Sequence, residues 1–148
     1  MTLRFESVRP RGTPIGRKLA LTAKAVSAAF NAALAAEGGS VPTWLILNAL
    51  RHDSWTAQLD LARELGIESP TLTRHLDNLE QYGLVVRRQS EADRRAVSVE
   101  LTDAGEEAHQ QMRAAVIAFN RRLQAGISRD ELQRLDAVLD RLAGNVSR

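Results

Sequence analysis

Two sets of helix start and stop signals stand back to back in the middle of this chain, and they constrain its fold more than any other feature. Thr56 offers a cap for a short helix over 57–65 that carries Leu59, Leu61, Ala62 and Leu65, and Gly66 stops it. Ser69 offers the next cap, Pro70 takes the first helical position, and Gly83 falls just past a helix over 70–82. With the turn Gly66-Ile67-Glu68 between them, the pair predicts a helix–turn–helix. On its second helix Leu72, Leu76 and Leu79 recur at i, i+4 and i+7, which points them inward. Pro70, Thr71, Arg74, Asp77, Asn78 and Gln81 are left on the opposite face. Threonine, arginine, asparagine and glutamine there can hydrogen-bond base edges or phosphates, as can the free N–H groups at the helix start.

The pattern changes directly after this unit. Leu84-Val85-Val86 reads as a β-run, and Val97, Val99 and Leu101 alternate with Ser98 and Glu100 at period two. The polar stretch 87–96 between them makes a hairpin with a long tip, Glu91-Ala92-Asp93-Arg94-Arg95-Ala96. A basic hairpin following a helix–turn–helix predicts a winged form of the motif. An arginine at its tip can enter the negative potential of a narrow minor groove, and Asp93 makes sense as the group that orients it.

Helices flank the unit on both sides. Ile15, Leu19, Val26, Phe30, Ala33 and Leu34 suit an amphipathic helix over 15–36 that Gly38-Gly39 stops. Ser40 caps a second, with Pro42 in its first turn and Trp44, Leu45, Leu47 and Leu50 inside, ending near His52-Asp53. Thr102 caps a long helix through Met112, Val116, Phe119 and Leu123, stopped by Gly126. Ser128 and Glu131 form a capping box that opens the last helix. Its Leu132, Leu135, Leu139, Leu142 and Val146 make a narrow seam of the kind that seeks a partner helix. The expected class is mainly α: a winged helix–turn–helix lobe over 40–102, inside a single domain over 1–148.

Composition narrows the function classes. The 148 residues are 44% apolar and include no cysteine, which excludes a disulfide scaffold, a thiolate zinc site, a cysteine nucleophile and thiol-based redox sensing. No apolar run reaches the length of a membrane span, so a soluble cytoplasmic protein is expected. The net charge of +2 is uninformative, but its placement is not. Residues 1–24 hold six cations against Glu6 alone, and Arg87, Arg88, Arg94 and Arg95 gather at the hairpin, diluted by Glu91 and Asp93. The arm resembles a transit peptide in charge, but Pro10, Gly12 and Pro14 break the helix such a peptide needs.

The ordered set Leu61-Ala62-Arg63-Glu64-Leu65-Gly66-Ile67, Leu72-Thr73-Arg74, Leu76-Asp77-Asn78-Leu79-Glu80, Gly83-Leu84-Val85, Asp93-Arg94-Arg95-Ala96 and Leu101-Thr102 resembles the MarR family of bacterial transcriptional regulators, and its SlyA branch above all. The likeness is clear over about residues 56–105, and the flanking helices agree in order and length. It implies a homodimer in which the helices at 15–36 and 103–148 intertwine and two winged lobes read an inverted-repeat operator in double-stranded DNA, as a repressor tuned by a small ligand. Carried over by residue, Arg95 oriented by Asp93 is the minor-groove contact and Arg94 its phosphate neighbour. Ser69, Thr71, Arg74 and Asn78 are the major-groove candidates.

Many members of this family respond to small anionic aromatic compounds. Trp44, Asn48 and Arg51 lie on one helical stripe, where an indole, an amide and a guanidinium could hold an aromatic carboxylate. The other reading of the stripe is a core tryptophan beside a surface arginine. No cofactor or metal is expected. Enzyme readings find little: His52, His75 and His109 sit on separate elements, the one Glu-x-x-His (Glu106, His109) lacks the second copy a di-iron bundle needs, and no nucleophile elbow, P-loop or dinucleotide glycine pattern occurs. A protein–protein adaptor that kept the winged fold without DNA binding remains the alternative, and the basic hairpin is the feature that separates the two.

Overall fold

A computed structural model describes residues 14–53, 57–89 and 97–147. Six helices and a two-stranded hairpin are present among them, in the order α1 (Ile15–Ala35), α2 (Val41–His52), α3 (Gln58–Leu65), α4 (Ser69–Gln81), β1 (Val85–Gln89), β2 (Val97–Leu101), α5 (Asp103–Leu123) and α6 (Arg129–Val146). The chain divides into two compact units, one up to Val116 and one from Ile117 onward.

The first unit is built around leucines that the 3.6-residue period turns inward. Leu61, Leu72 and Leu76 are fully buried together with Ile46, Leu47 and Leu34, and Val85 and Val99 close the cluster from the hairpin. Each such side chain contributes about 1.5–3 kcal/mol on leaving water. Of the apolar residues carried by α3, Leu59 is exposed. β1 and β2 pair antiparallel from Val85 opposite Leu101 to Gln89 opposite Val97, so the ladder runs three residues beyond the Leu-Val-Val run. The tip residues Asp93, Arg94 and Arg95 lie outside the described residues.

The local signals act mostly where expected. The Ser40 hydroxyl accepts from Thr43 N–H at 3.3 Å to start α2, and the Thr102 hydroxyl accepts from Gly105 N–H at 3.1 Å to start α5. Gly66 closes α3 with φ 64°, a left-handed conformation that a side chain disfavours. Two starts differ by a residue. Glu68, with ψ at 141°, is the half-in residue before α4, so Ser69 is already helical and its side chain caps nothing. The half-in residue before α3 is Ala57, likewise without a side-chain cap, and Thr56 lies outside the described residues.

The hairpin root is locked to α5 by a close approach. Thr102 N–H donates to the Leu84 carbonyl at 3.1 Å, and the Thr102 hydroxyl donates to the Gly83 carbonyl. A Cβ on Gly105 would stand 2.0 Å from the Leu84 oxygen, so only glycine permits this packing.

In the second unit, Ser128 caps α6 by accepting from Glu131 N–H at 3.1 Å. The Ser128 hydroxyl in turn donates to Glu131 Oε1 at 3.1 Å, which ties the two side chains of the box together. No residue of α6 is buried, and Leu135, Val138, Leu139 and Val146 are exposed. In the first unit α1 likewise exposes Ile15, Leu19 and Leu21, with Leu34 its one buried residue.

Candidate nucleic-acid interface

α4 presents the candidate interface because its other side is core. At about 100° per residue, Arg74 and Asn78 stand roughly 40° apart on the outward face, with Asp77 and Gln81 beside them; all four are exposed. Ser69 and Thr71 fall on opposite flanks of the helix, Ser69 exposed and Thr71 half-buried. Ser69 shares its flank with Thr73, whose hydroxyl donates to the Ser69 carbonyl at 3.0 Å and accepts from Gln58 Nε2 at 2.9 Å. That pair of bonds fixes α3 against α4. Asn78 also borders a hollow of about 510 Å³ shared with Ser40, Thr43, His75 and Tyr82.

One residue of the hairpin's basic cluster turns out to belong to this surface. Arg87, only 20% exposed on β1, pairs with the Asp77 carboxylate on α4, and its backbone N–H donates to Glu80 Oε2 at 3.1 Å. Its Nε lies 3.7 Å from Glu80 Oε2, beyond hydrogen-bond reach, so that contact is Coulombic attraction alone. Arg87 therefore offsets one of the two negative charges that Asp77 and Glu80 place on this side of α4. Arg88 in turn pairs with Glu100 across the hairpin at 3.3 Å. Half of the basic cluster expected at the wing is thus balanced at its root, and Arg94 and Arg95 lie outside the described residues. The signal for Arg87 was its spacing, seven and ten residues after two acids across a tight turn.

The ligand stripe on α2 divides. Asn48 and Arg51 line a cleft of about 340 Å³ with His52, and with His109, Gln110 and Arg113 of α5. Trp44 does not line it. The indole is 9% exposed and stacks on the His109 ring, centroids 5.1 Å apart and planes 12° from parallel. His109 is 4% exposed and its Nε2 meets Asn48 Oδ1 at 3.1 Å. Burial holds its pKa below the usual 6.5, and the charges of Arg51, His52 and Arg113 push the same way against a smaller opposing effect of Glu106. The sequence treated the Glu106–His109 spacing as chance. A better clue was His109 three and seven residues before Met112 and Val116, on the inward stripe of its helix.

Among the described residues no helix is long and apolar enough to cross a membrane, and no group of three or more histidine, aspartate and glutamate side chains could hold a metal ion.

A MarR family model matches residues 40–97, from the start of α2 to the start of β2. The transcriptional regulator PA3341 is 33% identical, covering 90% of this chain and 98% of its own, with a TM-score of 0.74. The chain belongs to the MarR family. Other solved structures of similar fold were determined with DNA. The transcriptional repressor CouR, bound to a 23-mer duplex, is 28% identical over 88% of this chain and 92% of its own, with a TM-score of 0.79. A mutant MarR from E. coli complexed with operator DNA is 25% identical over 87% and 93%, with a TM-score of 0.77.

Proposed function

We propose that this MarR-family chain is a sequence-specific, double-stranded-DNA-binding transcriptional regulator, a ligand-responsive repressor that acts as a homodimer on an inverted-repeat operator in the cytoplasm. It is a regulator and not an enzyme. The observation that carries the reading is the outward face of α4: Arg74 and Asn78 stand free of the core beside Asp77, whose carboxylate Arg87 pairs. Arg74 and Asn78 read base edges, while Ser69 and Thr71, on opposite flanks of the first turn, meet the two phosphate walls of the groove. Arg95, oriented by Asp93, takes the minor groove, with Arg94 on a phosphate. The exposed apolar residues of α1 and α6 supply the dimer surface, which would set two recognition helices about 34 Å apart. The winged lobe is 40–102, with 15–36 and 103–148 as dimerisation helices. Within the family, the residue strings of the helix–turn–helix support a place in the SlyA-like branch.

The test is a mobility shift on operators selected from random DNA, at two salt concentrations. Binding should fall steeply with salt and be lost in Arg95→Ala. Arg74→Ala should cost about 1–3 kcal/mol of discrimination between operator and random sequence. Failure to prefer any sequence at either salt would overturn the regulator and favour a winged-helix adaptor.

A further inference from the structure

The α2–α5 cleft has the wrong walls for an aromatic ring. All six lining residues are polar: Asn48, Arg51 and His52 from α2, His109, Gln110 and Arg113 from α5. Trp44, the aromatic member of the predicted stripe, is buried and already stacked on His109. None of the lining residues is an acid, and among the described residues neither Arg51 nor Arg113 is paired with one. Two exposed guanidiniums face the same hollow from two helices, with nothing between them to balance their charge.

We propose that this cleft binds a compact, multiply charged oxyanion, a polycarboxylate or a phosphate ester, clamped between Arg51 and Arg113. The inference rests on the ligand-responsive part of the proposed function and names the chemistry of its effector. Guanidiniums grip such groups through paired, charge-assisted hydrogen bonds, and two of them on opposite walls select for two or more anionic groups. The cleft is large enough for a small metabolite, while its polar lining sets it apart from the mostly apolar pockets that hold drug-like ligands.

His109 adds a proton to the account. With Asn48 Oδ1 as acceptor, Nε2 carries the ring hydrogen, and Nδ1 is the atom that gains the second. Burial, then Arg51 and His52 on α2 and Arg113 on α5, disfavour that second proton, and Glu106 alone favours it. An anion between the arginines offsets their repulsion and raises the pKa of His109. Binding therefore takes up a proton and tightens as pH falls.

The experiment is calorimetric titration of the full chain, without DNA, with citrate, pyrophosphate and benzoate at constant ionic strength and at pH 6 and 8. Citrate or pyrophosphate should saturate. Once the ionisation of the anion itself is subtracted, buffers of different ionisation enthalpy should show proton uptake by the protein, and the same anionic form should bind more tightly at pH 6. Arg51→Gln and Arg113→Gln, both at exposed positions, should each weaken binding about tenfold. In a Trp55→Phe background the remaining Trp44 reports the site, because protonation of the stacked imidazole should quench its fluorescence. Tighter citrate assigns a polycarboxylate, and tighter pyrophosphate a phosphate ester. The proposal is overturned if neither anion saturates, if both glutamine variants bind as the parent does, or if benzoate binds more tightly than either. Operator binding is scored separately by mobility shift, so a failed titration with intact operator binding removes this inference and leaves the regulator standing.

Discussion

Gly105→Ala sets two effects of known size against each other. The position lies in the first turn of α5, where alanine gains at most about 1 kcal/mol of helix propensity over glycine. Against that gain, the new Cβ would stand 2.0 Å from the Leu84 oxygen, 3.0 Å from its carbonyl carbon and 3.2 Å from Leu101 Cδ2. Two of those atoms are backbone, so no change of rotamer relieves the overlap. The oxygen that must move also accepts the Thr102 N–H bond, one of those fastening the hairpin root to α5. Overpacking of this kind costs about 1–3 kcal/mol, and a weakened hydrogen bond adds about 1. After the propensity gain, a net loss of about 1–3 kcal/mol is expected. Urea unfolding at one fixed protein concentration measures it. Gly144→Ala in α6 serves as the control, since a Cβ there meets nothing within 4 Å and should raise stability by up to about 1 kcal/mol. If Gly105→Ala unfolds at the same or higher urea than the parent, the hairpin root is free to yield and the locked junction is refuted.

Three further outcomes are expected. Arg87→Ala should lower stability by about 1–2 kcal/mol, and a double-mutant cycle with Asp77→Asn should show coupling; strictly additive effects would mean the pair contributes nothing. Because the pKa of His109 is held below its unfolded value, its contribution to stability is complete above about pH 6.5 and is lost as pH falls through the lowered folded value. His109→Gln should flatten that loss between neutral and mildly acid pH in urea unfolding, and an unchanged slope would move its origin elsewhere. A chain ending after Gly126 should sediment as a monomer where the full chain sediments as a dimer, and a dimer retained without α6 would deny that helix its assigned role.

How much of this was legible beforehand depends on the range of each interaction. Local signals read well: Ser40 and Thr102 cap the helices assigned to them, and the Leu72, Leu76, Leu79 stripe is buried in full. The one-residue slip at Ser69 is also local. Serine can cap a helix or start one, and the choice follows from the backbone of Glu68, whose extended conformation the Ser-Pro pair leaves open. Leu59 reads as core by composition, yet α3 is eight residues long and its inner stripe is already filled by Leu61 and Ala62. Only the docking of α3 on α4, through Gln58 and Thr73, decides which leucine faces out.

The site was legible where one element carries it and hidden where two must meet. The outward face of α4 follows from periodicity alone, whereas the Arg87–Asp77 pair needs β1 to fold back along α4. The α2–α5 cleft shows the same limit more sharply. Asn48 and Arg51 were found as a stripe on one helix, but the charge they face comes from Arg113, 62 positions beyond Arg51 in the chain. That partner changes the chemistry. Read with Trp44, the stripe suggests a ring-bearing monoanion; read with Arg113 and a tryptophan occupied by His109, it suggests an oxyanion with charge on both sides. α5 then links the two halves of the lobe physically. His109, which borders the cleft, lies four residues and about 6 Å along the helix from Gly105, which abuts the hairpin root without clearance. An anion that binds one setting of α5 against α2 more tightly than another must carry Gly105 with it, and through Leu84 the base of the wing. Coupling by this route is bounded by the differential affinity of the anion for the two settings, and occupancy alone shifts nothing.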